Sequence, residues 1–87
     1  MPIVYIPSLL RDLTNGQETV TVSGETVHGV IAALERLYPG IQARLCEGDA
    51  LRPGLALVVD TEISRKGLRH ALTAASEVHF LPQVGGG

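Results

Sequence analysis

Thr26-Val27-His28-Gly29-Val30-Ile31-Ala32-Ala33-Leu34-Glu35-Arg36-Leu37-Tyr38-Pro39-Gly40 is the stretch on which the reading of the fold turns. Val27, Val30, Ile31, Leu34, Leu37 and Tyr38 recur at spacings of three and four, which places them on one face of an α-helix. Thr26 is suited to the N-cap, where its hydroxyl accepts a free N–H of the first turn. Pro39-Gly40 stops the helix, because proline cannot continue the hydrogen-bond ladder and glycine accepts a left-handed backbone. Gly29 costs such a helix roughly 1 kcal/mol relative to alanine, and close approach to a sheet would account for it.

Strand patterns lie on both sides of this helix. Upstream, Ile3-Val4-Tyr5-Ile6 is a continuous apolar run, as expected of a central strand. Pro7 interrupts it, Leu9, Leu10 and Leu13 are expected to cover one end of the core, and Asn15-Gly16 supplies a turn. Thr19-Val20-Thr21-Val22 then alternates polar and apolar in the manner of a half-exposed strand, completing an antiparallel hairpin with a long loop. Downstream, residues 41–53 are irregular with at most one short helical turn. Leu55 to Val59 forms a third strand, and Asp60-Thr61 turns into a short fourth around Glu62-Ile63-Ser64. Leu68 and Leu72 anchor a connection to the last strand, Val78-His79-Phe80-Leu81, which Pro82 ends.

The order is β-β-α-β-β. One apolar helix stripe covers one face of a mixed sheet, giving a two-layer α+β domain. Its closed solution is the β-grasp, with the first and last strands parallel neighbours in the centre. Residues 1–83 are assigned to this domain and residues 84–87 to a flexible C-terminal tail.

The composition narrows the functions available. Eighty-seven residues make one domain, and 45% hydrophobic content argues against disorder. Aromatics are only Tyr5, Tyr38 and Phe80, so the core is aliphatic. A net charge of −2 without a basic tract offers no route to nucleic acid. The longest apolar run is far below the ~20 residues that span a bilayer, and no signal peptide is apparent. A cytoplasmic location is expected. Cys46 is the sole cysteine, so no internal disulfide can form, and a structural thiol is favoured over a nucleophile that lacks an adjacent base. His28, His70 and His79 show no metal-ligand spacing with each other or with Cys46, so no metal is expected. His79 alternates with Val78 and Phe80, which assigns it to a surface or an interface. No Ser-His-Asp order or phosphate-binding loop is present, and the chain is not expected to be an enzyme itself.

The last strand runs almost directly into Val84-Gly85-Gly86-Gly87. With glycine at ~7% of residues, three in a row at one position arise by chance about three times in ten thousand. An inert terminal extension remains open on composition alone. The chemical reading starts from access: without Cβ atoms, an extended Gly-Gly segment can thread a narrow tunnel and bring the chain end to another enzyme's nucleotide. A terminal carboxylate is a poor acyl donor until activated; adenylation by ATP supplies the leaving group, and a sulfur nucleophile displacing AMP leaves a thiocarboxylate.

Four segments carry a resemblance: Ile6-Pro7-Ser8-Leu9-Leu10-Arg11, Gly16-Gln17, Ser23-Gly24-Glu25-Thr26-Val27, and Leu81-Pro82-Gln83-Val84-Gly85-Gly86-Gly87. With them the chain resembles, nearly end to end, the ubiquitin-like sulfur carriers of the MoaD/ThiS family, in particular the CysO-type carriers that feed cysteine synthesis. The resemblance implies that Gly87 carries the adenylate and then the thiocarboxylate, with Gly86 and Gly85 threading the tail. It implies no bound cofactor, since ATP is used by the activating enzyme. The implied partners are an E1-like adenylyltransferase of the MoeB/ThiF type, a pyridoxal-phosphate-dependent cysteine synthase as sulfur acceptor, and a JAMM-type metalloprotease. Two departures stand out: Gly85 replaces a common alanine, and Ala74-Ala75 replaces an Asp-Gly turn. Phe80, Pro82 and Val84, with the basic cluster Arg65, Lys66 and Arg69, are assigned to partner binding, against the plain reading of that cluster as a solvated loop. Other outcomes are a carrier for molybdopterin or thiamine synthesis, a protein modifier forming isopeptides, and a binding module with an inert tail.

Overall fold

The computed structural model describes residues 1–82. Seven strands and two helices follow in the order β1 (Ile3–Tyr5), β2 (Thr19–Thr21), α1 (Val27–Leu37), α2 (Ile41–Leu45), β3 (Cys46–Glu47), β4 (Ala50–Leu51), β5 (Leu55–Val59), β6 (Glu62–Ile63) and β7 (Glu77–Pro82). Five of the strands form one sheet in the order β2-β1-β7-β5-β6. The first and last strands are parallel neighbours, with Val4 opposite Val78, and every other pair in that sheet is antiparallel. The architecture is the expected β-grasp.

Helix α1 forms as its periodicity predicts. The Thr26 side chain accepts a hydrogen bond from the Gly29 N–H at 3.1 Å, and the helix ends at Leu37 ahead of Gly40, whose φ is +102°. Val27, Val30, Ile31 and Leu34 are buried against Val4, Leu57, Val59, Val78 and Phe80 from the sheet. Burying each such side chain contributes about 1.5–3 kcal/mol, so this two-layer contact dominates the stability of the domain. Leu37 departs from expectation: it is 57% exposed, because the stripe rotates off the sheet in the last turn, while Tyr38 still packs at the core margin. The close approach expected of Gly29 belongs to Gly24 instead. A Cβ on Gly24 would stand 2.7 Å from both the Val30 backbone N and its Cγ2, whereas one on Gly29 meets nothing closer than 3.6 Å.

The segment read as irregular is more ordered than its sequence suggests. After Gly40, α2 buries Ile41 and Leu45, and β3 and β4 then pair as a small hairpin about Gly48. The Glu35 carboxylate joins this unit to α1 by accepting from the N–H groups of Gly40 and Gln42 at 3.0 and 2.9 Å. Those two donors hold its carboxyl below the ordinary value of 4.5. The Leu9, Leu10 and Leu13 cover is only partly as expected. Leu10 is buried and Leu13 packs on the core, but Leu9 is 78% exposed. Asp60 and Thr61 make the two-residue turn between β5 and β6, with φ values of +50° and +74°. This is the pairing of left-handed residues that hairpin twist demands. The Asp60 side chain also accepts from the Glu77 N–H at 2.8 Å, fixing where β7 begins.

Candidate functional site

β7 is the structural base of the site. It lies third of five strands, held by β1 on one side and β5 on the other. Pairing with β1 runs only from Glu77 to His79, whereas pairing with β5 continues to Pro82, opposite Leu55. The strand therefore leaves the sheet centre along a single neighbour. Pro82, which carries no N–H, ends β7 at the domain rim. Val84, Gly85, Gly86 and Gly87, the residues on which the chemistry is expected, lie outside the described residues, as does Gln83.

Alternation along β7 sorts its side chains between two faces. Phe80 is 1% exposed and sits in the core beneath α1, so its assignment to partner binding is corrected: it has the parity of Val78 and faces the helix. The outward residues are His79 and Leu81, the latter 46% exposed and not singled out by sequence. In register with His79 stand Tyr5, Val58 and Ile63, so one row of the open sheet face reads Tyr5-His79-Val58-Ile63. The Tyr5 and His79 rings stack at 4.0 Å between centroids with 7° between planes, and His79 Nε2 lies 3.8 Å from Glu77. Ile63 at the outer end is 75% exposed. This half-apolar strip, continued by Leu81 and Ala56, is an unpartnered face next to the exit of the chain.

Arg65, Lys66 and Arg69 are gathered as expected, around an open recess of about 500 Å³. Their loop is pinned by the Ser64 hydroxyl, which lies 2.7 Å from His70 Nδ1 and accepts from the Lys66 N–H at 3.2 Å. The cluster follows β6, however, and β5 separates it from β7. Pro82 instead borders a second cleft of about 270 Å³, lined by Pro7, Leu9, Leu10, Arg44, Arg52, Pro53 and Leu55 among others. Sequence reasoning missed this cleft because its walls come from four segments that no local pattern connects.

The remaining candidates are structural. Cys46 is buried at the end of α2, and burial pushes its thiol up from the ordinary value, the opposite of what a nucleophile needs. His28 is exposed and His70 is engaged with Ser64. Among the described residues no group of three or more His, Cys, Asp or Glu could hold a metal ion, and no helix is long and apolar enough to cross a membrane.

A profile described as the ThiS family matches residues 4–87. The chain belongs to the ThiS family. It is 40% identical to the sulfur carrier protein CysO of Mycobacterium tuberculosis, over 97% of this chain and 96% of that one. The crystal structure of M. tuberculosis CysO superposes with a TM-score of 0.90 at 36% identity, covering 97% of this chain and all of the other. A chain of the Amycolatopsis orientalis BexX/CysO complex superposes with a TM-score of 0.91 at 32% identity, each chain fully covered. The family match extends through the glycines at 85–87 and so includes the segment beyond the described strand.

Proposed function

We propose that this protein is a sulfur carrier of the CysO type, whose Gly87 carboxylate is activated and then loaded with sulfur for cysteine synthesis. The observation that carries the reading is the end of the central strand β7 at Pro82, followed by Gly85-Gly86-Gly87 within the ThiS family match over residues 4–87. A carboxylate oxygen of Gly87 attacks the α-phosphorus of ATP, and pyrophosphate leaves. Hydrosulfide then attacks the acyl carbon of the adenylate, AMP leaves with the electron pair of the broken C–O bond, and the S–H proton is lost to solvent. The product is a thiocarboxylate at Gly87, ready to give up its sulfur to an acceptor. Both steps take place in partner enzymes, and the contribution of this chain is a stable platform with a slender terminus.

An E1-like adenylyltransferase of the MoeB/ThiF type is the proposed activating partner. A pyridoxal-phosphate-dependent cysteine synthase is the proposed acceptor, and a JAMM-type metalloprotease is proposed to release the product. The solved BexX/CysO complex is a precedent for a carrier of this fold seated on a partner protein. The open sheet row Tyr5-His79-Val58-Ile63, together with Leu81, supplies the apolar centre for such seating. Incubation with adenylyltransferase, ATP and sulfide, followed by the cysteine synthase with its amino-acid substrate, tests the reading. ATP-dependent thiocarboxylate at Gly87 and sulfur appearing in cysteine are expected. Gly87 joined instead to lysine side chains of other proteins, with no sulfur delivered, identifies a modifier and refutes the reading.

A further inference from the structure

We propose that the cleft beside Pro82 is a docking slot for an acidic segment of the activating enzyme that also presents an apolar side chain; the inference rests on the carrier reading above. The first ground is reach. Residues 83–87 span at most about 18 Å when fully extended, at ~3.3–3.6 Å per residue. An enzyme enclosing the Gly87 carboxylate must therefore bring its entrance against the surface around Pro82. That surface on one side is the cleft.

Its lining indicates what it receives. Pro7, Pro53 and Pro82 fix backbone angles in its walls, so the shape is largely set before binding. Leu9 stands at its margin, 78% exposed, on a single 3₁₀ turn whose next residue, Leu10, is locked in the core. Arg44 and Arg52 complete the lining. Arg52 Nε donates to the Ala43 carbonyl at 2.8 Å, and Arg44 Nη2 reaches the Leu9 carbonyl at 3.5 Å. Among the described residues neither guanidinium has a carboxylate within 4.0 Å, although the chain as a whole is acidic at −2. Two planar cations with no carboxylate partner among the described residues, beside apolar walls, match carboxylates flanking an apolar side chain. A volume of about 270 Å³ suits side chains of a docked segment, being below the roughly 300–1,000 Å³ of small-molecule sites.

The test is steady-state activation of the full chain by a MoeB/ThiF-type adenylyltransferase, with kcat and KM for the carrier measured at two salt concentrations. The double variant Arg44→Glu/Arg52→Glu is expected to raise KM about tenfold at ~50 mM salt and less than about threefold at ~0.5 M, with kcat unchanged, because rim charges act mainly on encounter and are screened. Leu9→Ser is expected to raise KM about fivefold, nearly independently of salt, through lost apolar contact. All these side chains are exposed, and the double variant gives up only surface hydrogen bonds to the Ala43 and Leu9 carbonyls, so the variants should stay folded with melts close to the parent. Parent-like KM in both variants, with the parent activated, overturns the inference alone. No activation of the parent by several adenylyltransferases, each proven on its own carrier, overturns the carrier reading and this inference with it.

Discussion

Adjacent residues Phe80 and Leu81 on β7 should respond to truncation in opposite ways. Phe80 is 1% exposed and packs between the sheet and α1, so Phe80→Ala removes a whole ring from a closed core. Such truncations cost about 3–5 kcal/mol. At roughly 0.05–0.15 kcal/mol per residue, a domain of this length holds about 4–13 kcal/mol in total, so the variant loses a large share of its stability. With about 4–8 °C lost per kcal/mol in a domain of this size, melting should fall by at least ~12 °C. Leu81 faces the open side of the sheet and is 46% exposed. Leu81→Ala should cost less than about 1 kcal/mol in stability but weaken docking, seen as a raised KM for the carrier in the adenylation assay. Urea unfolding monitored by circular dichroism reads the first quantity, and pyrophosphate exchange reads the second. Equal destabilisation by the two substitutions would refute the division of β7 into a core face and a docking face.

Three further outcomes follow from the local structure. Thr26→Ala should destabilise the domain by about 1 kcal/mol in urea unfolding, and Thr26→Ser should restore most of it, because only the hydroxyl that accepts from Gly29 is at issue. Thr61→Gly should stabilise it by about 1 kcal/mol in the same assay, since a β-branched residue at φ +74° is strained and glycine is not. Glu35 has its folded pKa lowered by bonds from the Gly40 and Gln42 N–H groups, so its contribution is present above the ordinary value of 4.5 and is lost as pH falls through the folded value. Glu35→Gln should therefore melt below the parent near neutral pH, with the gap closing under acid. A gap that widens in acid would contradict that role.

Much of the fold was legible because its main elements carry strong periodicity. Val27, Val30, Ile31 and Leu34 mark the buried face of α1, Thr26 and Gly40 mark its ends, and the apolar density of residues 3–6 and 78–81 marks the two central strands. The misplaced details have physical causes. Leu9 and Leu37 are apolar by type yet exposed: Leu9 is the middle residue of a 3₁₀ turn in which Leu10 takes the core position, and Leu37 ends α1 where the buried stripe has turned off the sheet. α2 and the β3–β4 hairpin are too short for periodicity to register, and α2 is tied to α1 through Glu35, a contact between separate segments. Phe80 does not belong to the partner surface: strand alternation with Val78 places it inside. The cleft at Pro82 is assembled from the residues after β1, in α2, around the start of β5 and at the end of β7, and only the fold brings them together.

The most direct test of the central claim is intact-protein mass spectrometry after incubation with an adenylyltransferase, ATP and a sulfide source. The account predicts an oxygen-for-sulfur mass increase of about 16 Da, localised to Gly87 by fragmentation and absent without ATP. An unchanged mass with several adenylyltransferases, each active on its own carrier, would contradict it.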